Sequence, residues 1–198
     1  MNSDLASGKL MVLAIAGFAI VASPSVAAGR PVETEHQVHP QTGIESWRFR
    51  RDGVEVLLMQ ISPDQARAFF LGRGFLRADV DHYASSCVFM TLVTNRSARS
   101  ISYRLADWSY RQGGGAVRTP KLKDEWLREW EMRGVEKSSR IAFEWSQHPA
   151  EQVLEPGDSN QGMTTFLVPH GEQFDLSVKW KRADRVDVGS IKGVLCAK

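Results

Sequence analysis

Two histidines near the start of the predicted mature chain are candidates for metal chemistry. His36 and His39 are separated by two residues, and methionines such as Met59 and Met163 lie further along the chain. Imidazole nitrogen and thioether sulfur are a ligand combination that suits copper. One prediction is therefore a periplasmic copper-binding or copper-handling protein that uses His36, His39, Met59 and Met163. No other cofactor is predicted, because the sequence carries no phosphate-binding loop pattern.

A cluster of polar residues contains the side-chain types that hydrolysis needs. Asp79, Asp81, His82, Ser85 and Ser86 lie within eight positions of one another, and they include acids, a base and nucleophiles. However, catalytic triads usually come from separate elements, and neither serine lies in a Gly-x-Ser-x-Gly elbow. A hydrolase is thus a further alternative, while the lack of a catalytic motif favours a protein that is not an enzyme.

Two tryptophans four residues apart offer a third kind of site. Trp126 and Trp130 share one face of any helix that contains them. Such a face either packs on the core or anchors a partner. We predict partner binding by Trp126 and Trp130, with an envelope protein or a glycan as the partner.

The chain contains two cysteines, Cys87 and Cys196. An isolated pair in an oxidising compartment is most simply a structural disulfide. We therefore predict a bond between Cys87 and Cys196 that ties the C-terminus to the core.

The first 28 residues have the pattern of a secretory signal peptide. The apolar run Leu10–Val21 follows Lys9 and precedes the small residues Ala27 and Ala28, as in an export signal. The run is shorter than the roughly 20 residues that a membrane-spanning helix needs. We predict removal of segment 1–28, a periplasmic or secreted location, and no transmembrane segment after cleavage.

Composition indicates one globular domain. The 198 residues include 25 Lys or Arg and 23 Asp or Glu, giving a net charge of +2, and 42% are hydrophobic. Near-balanced charge argues against nucleic acid as a partner, and the apolar content excludes a disordered chain. We expect an extended arm over 29–43 and a single β-sandwich domain over 44–198.

Local patterns predict the elements of this domain. Asp52-Gly53 lies between alternating strands and indicates a hairpin. Ser62-Pro63-Asp64-Gln65 resembles a capping box at the start of a helix that extends to about Arg73. A buried strand is expected from Cys87, and the strand at Ile101–Leu105 is expected to pair with it.

The C-terminal half is predicted to contain one helix, over Lys121–Arg133, and several strands. Apolar residues alternate at Ile141, Phe143 and Trp145, and again from Phe174 to Trp180, which indicates two strands. No internal repeat is expected. The run from Cys87 to Trp108, followed by alternating strands, resembles in pattern the immunoglobulin-like domains of bacterial envelope proteins.

The predicted fold is therefore mainly β: an antiparallel immunoglobulin-like β-sandwich with two or three short helical insertions. The first functional hypothesis is an exported, non-catalytic accessory or binding protein that engages another envelope component. Copper handling and hydrolysis are the alternatives.

Overall fold

A computed structural model describes residues 32–198, and the predicted signal peptide, 1–28, lies outside the described residues. The strands are β1 (Glu33–Val38), β2 (Glu45–Arg51), β3 (Val54–Ile61), β4 (Cys87–Asn95), β5 (Ile101–Arg104), β6 (Ser109–Arg111), β7 (Val117–Arg118), β8 (Glu151–Leu154), β9 (Ser159–Phe166), β10 (Gln173–Arg182) and β11 (Arg185–Leu195). The helices are α1 (Pro63–Leu71), α2 (Arg77–Ala84), α3 (Lys123–Met132) and α4 (Lys137–Ser146). None of the helices within 32–198 is long and apolar enough to cross a membrane.

The first sheet is antiparallel, with the order β1-β2-β3-β4-β9. The predicted hairpin joins β2 to β3, and its turn residues Asp52 and Gly53 have φ values of 50° and 81°. Such positive values belong to the tight turns that match the twist of paired strands. The predicted N-terminal arm contributes β1, which pairs with β2 at the edge of this sheet.

The second sheet is built around β10. One side of β10 pairs with β11, and the other side pairs with β6 and then with β5. Beyond them, β7 pairs with β6 and β8 pairs with β5. Each of these pairs is also antiparallel.

The expected pairing of β5 with β4 is wrong, because β5 belongs to the second sheet. The chain crosses between the sheets at Asn95, which is fully buried. The side-chain amide of Asn95 donates to the carbonyl oxygens of Arg99 and Leu154, at 2.8 and 2.9 Å. These bonds direct the chain away from β4, so that Ile101 and Tyr103 enter the core from the opposite sheet.

The two sheets pack face to face over a large apolar core. Trp47, Phe49 and Phe89 of the first sheet lie in one buried cluster with Leu176 and Trp180 of the second. The prediction of a mainly β chain with two antiparallel sheets is confirmed. Its immunoglobulin-like part is not confirmed: β1 to β4 form a sequential meander, and the described chain has four helices instead of two or three.

The predicted disulfide between Cys87 and Cys196 is confirmed. It joins the first residue of β4 to the residue that follows β11, and both cysteines are buried between the sheets. The bond therefore connects the two sheets covalently across a sequence separation of 109 residues.

The helices form a third layer on the other face of the first sheet. Cys87 and Phe89 of β4 face the second sheet, whereas Val88 packs in a separate cluster with Phe70 of α1 and Phe143 of α4. Neighbouring residues of a strand point to opposite faces, so β4 lies between both cores.

The expected strand at Ile141–Trp145 is wrong, because these residues lie in helix α4. Alternation of apolar residues suggested a strand, but burial follows the helical period. Ser139 and Phe143, four residues apart, are the buried residues of α4, whereas Ile141 and Trp145 are 47% and 86% exposed. Packing of Phe143 against the rings of α1 and α3 replaces the expected sheet.

The expectation that the chain has no internal repeat is also wrong. The hairpin α1–α2 is repeated 60 residues later as α3–α4, with Asp64, Arg73 and Gly74 matched by Asp124, Arg133 and Gly134. Buried residues are also matched: Phe70 by Trp130, Phe75 by Val135 and Tyr83 by Phe143. Gly74 and Gly134 both follow their helix with positive φ, 83° and 72°, which ends a helix at little cost for glycine.

The repeat extends into the sheets. The sequence Trp47-Arg48-Phe49-Arg50 in β2 resembles Trp108-Ser109-Tyr110-Arg111, which is Trp108 followed by the three residues of β6. Each repeat continues after its helices with two strands, β4 and β5 or β8 and β9, and these pair across the repeats as β4 with β9 and β5 with β8. The segments β2 to β5 and β6 to β9, each with its helical hairpin, are thus two interlocked copies of one unit, and β1, β10 and β11 lie outside the repeat.

Candidate partner-binding site

Trp126 and Trp130 do not form an exposed anchor, which corrects the predicted partner-binding site. They are 1% and 0% exposed, and their rings stack with centroids 5.1 Å apart. The indole nitrogen of Trp126 donates to Thr165 Oγ1 at 2.8 Å. Both residues therefore belong to the core between the helices and the first sheet.

The four predicted copper ligands do not converge. His36 stacks on Trp47 with centroids 4.9 Å apart, and its Nε2 lies 2.6 Å from Glu45 Oε2. Trp47 faces the second sheet, so His36 lies on that side of β1. Met163 packs instead in the helix-side cluster, and Met59 occupies the same cross-strand row through Met90.

The first sheet therefore separates the imidazole of His36 from the two thioethers. His39 lies in the turn after β1, where its Nδ1 lies 3.1 Å from Thr42 Oγ1. Among the residues described, there is no group of three or more His, Cys, Asp or Glu side chains placed to hold a metal ion.

The two aspartates of the predicted hydrolytic cluster are held in structural ion pairs. Asp79, which is buried, contacts Arg133 Nε at 2.7 Å. Asp81 contacts Arg67 Nε at 2.7 Å and Arg77 Nε at 3.1 Å. The hydrogen bond from Arg67 holds the pKa of the Asp81 carboxyl below its usual range.

His82 contacts a different acid from those the sequence suggested. Its Nε2 bonds to Glu129 of α3, and Lys121 bonds to the other oxygen of Glu129. Ser85 donates to the backbone carbonyl of His82 at 2.7 Å and not to its ring. The predicted nucleophile, base and acids are therefore not brought together, and His82 with Glu129 links the two helical hairpins.

Helix α4 carries an exposed apolar surface that includes the most exposed large hydrophobic residue among those described, Trp145. Trp145 is 86% exposed, and Ile141, one helical turn before it, is 47% exposed. Residues four apart are neighbours on a helix surface, so the two side chains form one continuous feature, here called the Ile141–Trp145 ridge. Sequence reasoning missed this ridge because it placed both residues in a strand.

The ridge is presented by a helix that is fixed from behind and from its sides. Phe143 is fully buried against Tyr83, Trp126 and Trp130. On α4 itself, Arg140 and Glu144 make ion pairs to Glu131 and Lys123, at 2.9 and 3.6 Å. These two charged neighbours of the ridge are thus engaged within the protein, whereas Lys137, one turn before Ile141, makes no ion pair within residues 32–198.

The first repeat shows that the fold does not require an apolar ridge. The positions equivalent to Ile141 and Trp145, 60 residues earlier, are Asp81 of α2 and Ser85, the residue that follows α2. Both are polar and make the local contacts described above. The same position of the repeated unit is therefore compatible with polar side chains.

Comparison with known proteins gives little further information. No family model matches the chain, and no curated protein matches it in sequence. A solved structure, a putative lipoprotein (ycdA) from Bacillus subtilis subsp. subtilis str. 168, is similar with 11% sequence identity and a TM-score of 0.34. The match covers 83% of this chain but only 35% of that chain, and at this level it assigns neither fold nor function.

Proposed function

We propose that this protein is an exported accessory protein that binds another envelope protein through the Ile141–Trp145 ridge. The observation that carries the proposal is the 86% exposure of Trp145 on an otherwise well-packed helix. Tryptophan is enriched among the residues that dominate binding energy. An exposed tryptophan beside an exposed isoleucine lowers the solubility of a protein. A partner that covers both side chains accounts for their presence.

A protein surface fits this ridge better than a glycan does. A tryptophan that stacks on a sugar normally works with nearby polar groups, because the sugar hydroxyls also need hydrogen bonds. Here Arg140 and Glu144 are already paired with Glu131 and Lys123. What the ridge offers is an aromatic ring beside an aliphatic side chain, which suits an apolar pocket on a partner.

Two features support an exported location. The predicted signal peptide over 1–28 has the length and residue pattern of a secretory signal. The disulfide between Cys87 and Cys196 is the kind of bond that persists in oxidising compartments such as the periplasm.

Photo-crosslinking in cells tests the proposal. The photoreactive residue p-benzoylphenylalanine replaces Trp145 in the full chain, and covalent products are identified by mass spectrometry. We expect one dominant partner protein. The matched control places the same residue at Leu76, which is also exposed, at 73%, but precedes α2 in the other hairpin.

Substitution of the ridge provides the complementary test. Trp145→Ala and Ile141→Ser should each reduce co-purification of the crosslinked partner, with Leu76→Ala unchanged. Loss of at least tenfold in affinity is expected for Trp145→Ala, because removal of an anchor residue costs about 2 kcal/mol or more. Equal co-purification by all three variants would overturn the proposal, and a product digested by glycosidases but not by proteases would replace the protein partner with a glycan.

A specific observation supports a second candidate function, binding of Cu(I). Met59, Met90 and Met163 occupy one row across β3, β4 and β9, so directly paired side chains have Cβ atoms about 5 Å apart. Met59 is 41% exposed and Met163 is buried, so the row leads from the surface toward the core. Thioethers are ligands that select Cu(I).

Competition with bicinchoninate for Cu(I) tests this second candidate. Met90→Leu, a substitution close in volume, should abolish stoichiometric Cu(I) retention, because Met90 lies between the other two. The double variant His36→Gln/His39→Gln should bind as the unmodified protein does. Failure of the unmodified protein to compete, or full retention in Met90→Leu, would exclude a thioether site.

A further inference from the structure

The second sheet is interrupted between β5 and β10. β10 pairs with β6 through Asp175–Ser177, but its pairing with β5 is limited to Lys181 with Ser102. Between these points the chain leaves the sheet in the turn Leu105–Asp107. The indole nitrogen of Trp108 donates to the backbone carbonyl oxygen of Lys179 in β10 at 3.1 Å. A side chain therefore bonds to this carbonyl where no neighbouring strand does.

An open cleft of about 830 Å³ lies over this interruption. Its volume falls within the range of roughly 300 to 1,000 Å³ that is typical of small-molecule sites. One row of side chains crosses its floor, in the order Val153, Ser102, Lys181 and Val186 on β8, β5, β10 and β11. Ser102, a small residue, occupies the middle of the row, and the two valines are 58% and 53% exposed.

A second row, two residues along the strands, adds charge to the cleft. Arg104 lies beside Glu151 on one side of the interruption, and Lys179 lies on the other. Arg104 is committed to Asp107 by two hydrogen bonds, at 2.9 and 3.1 Å. These bonds lower the pKa of Asp107, and the charges of Lys179 and Lys181 add to the effect.

Lys179 and Lys181 differ from Arg104 in that they have no carboxylate partner. Neither makes an ion pair with another residue of the described chain, whereas Arg104 and Asp107 neutralise each other. Residues two apart on a strand share a face, so the two ammonium groups project together. The cleft thus presents two uncommitted positive charges beside exposed valine side chains.

We propose that the cleft between β5, β8 and β10 binds a small organic anion, a carboxylate or phosphate ester with an apolar portion. Lys179 and Lys181 bind the oxyanion, and Val153 and Val186 contact the apolar portion. Glu151 lies on β8, on the side of the cleft away from the two lysines. Its charge disfavours a ligand with a second negative group at that side. This site lies on the second sheet and is separate from the Ile141–Trp145 ridge, so it stands or falls independently of the proposed partner.

Isothermal titration calorimetry on the disulfide-bonded mature protein, at low ionic strength, tests this site. The probes are octanoate, acetate, hexyl phosphate and inorganic phosphate. We expect octanoate and hexyl phosphate to bind at least tenfold more tightly than acetate and inorganic phosphate, because only the first two reach the valines. A tighter binding of one organic probe identifies which oxyanion the lysines prefer.

Variants assign the binding to the cleft. Lys179→Gln and Lys181→Gln should each weaken octanoate binding by about tenfold or more, the usual effect of losing a charge-assisted hydrogen bond. Ser102→Leu should block the floor without changing the charge, and Lys137→Gln removes an exposed lysine from α4 as the matched control. Thermal unfolding confirms that each variant is folded.

Two results would overturn the proposal. One is the absence of binding for all four probes at millimolar concentration. The other is equal affinity of octanoate for the unmodified protein, the two cleft lysine variants and Ser102→Leu, which would place any binding elsewhere on the surface.

Discussion

His148 and Tyr103 lie side by side in the core, with ring centroids 5.5 Å apart, and the polar atoms of neither side chain have a hydrogen-bond partner within residues 32–198. His148 is 1% exposed and follows α4, where its backbone N–H donates to the carbonyl oxygen of Met163 at 2.9 Å. Burial lowers the pKa of His148 from 6.5 to about 4 and raises the pKa of Tyr103. The imidazole is therefore neutral in the folded protein at neutral pH.

This burial makes stability depend on pH. Between pH 6.5 and about 4, His148 takes up a proton in the unfolded chain but not in the folded one. The free energy of unfolding should therefore fall as the pH is lowered through this window. The expected total loss is about 3 kcal/mol, at roughly 1.4 kcal/mol for each pKa unit, and urea unfolding measured from pH 7 to pH 4 checks it.

Substitution identifies the group responsible. His148→Leu should flatten the dependence of the free energy of unfolding on pH between pH 6.5 and 4.5. It should not destabilise the protein at pH 7, because the imidazole that it removes makes no hydrogen bond within the described chain. The exposed residue His170 provides the control, and His170→Gln should keep the original slope. A slope that survives in His148→Leu would assign the effect to other groups.

A second prediction concerns Gly189 of β11, whose backbone lies against the ring of Phe49 in the opposite sheet. A Cβ at this position would overlap the ring, and Phe49 is fully buried with Trp180 beside it. Gly189→Ala should therefore lower the free energy of unfolding by about 1 to 3 kcal/mol, the usual cost of overpacking. Gly114→Ala, where no atom lies within 4 Å, should leave the urea midpoint close to its original value.

A third prediction concerns the disulfide. Cys87→Ala/Cys196→Ala should lower the free energy of unfolding by about 4 to 5 kcal/mol, because the bond closes a loop of 109 residues and restricts the unfolded chain. Reduction of the unmodified protein in urea should give a similar loss. If the double variant unfolds at the same urea concentration as the oxidised protein, the bond contributes nothing to stability.

Elements with strong local signals were predictable from the sequence. Ser62 and Gln65 make both hydrogen bonds of the predicted capping box at the start of α1, and the alternating burial of β10 follows its predicted strand. These patterns depend on residues close together in the chain. The disulfide was predictable for a related reason, since two cysteines allow one pairing.

Elements decided by distant contacts were not predictable in the same way. Ile141, Phe143 and Trp145 alternate as in a strand, whereas in the structure Phe143 of α4 packs on rings from the other three helices. The internal repeat, which the sequence analysis missed, is the signal that could have found this helix: alignment of Gly74 with Gly134 places Ile141 opposite Asp81 of helix α2. The candidate site was missed because its helix was missed, and the buried tryptophans were chosen in its place.

A fourth prediction contrasts a core tryptophan with the tryptophan of the ridge. Trp126 is 1% exposed, stacks on Trp130 and donates to Thr165, so Trp126→Ala should lower the free energy of unfolding by about 3 to 5 kcal/mol. Trp145 is 86% exposed, and Trp145→Ala should change the free energy of unfolding by no more than about 0.5 kcal/mol. Urea unfolding followed by circular dichroism measures both. A large loss for Trp145→Ala would mean that this side chain stabilises the fold of its own chain, and the reason for assigning it to a partner would disappear.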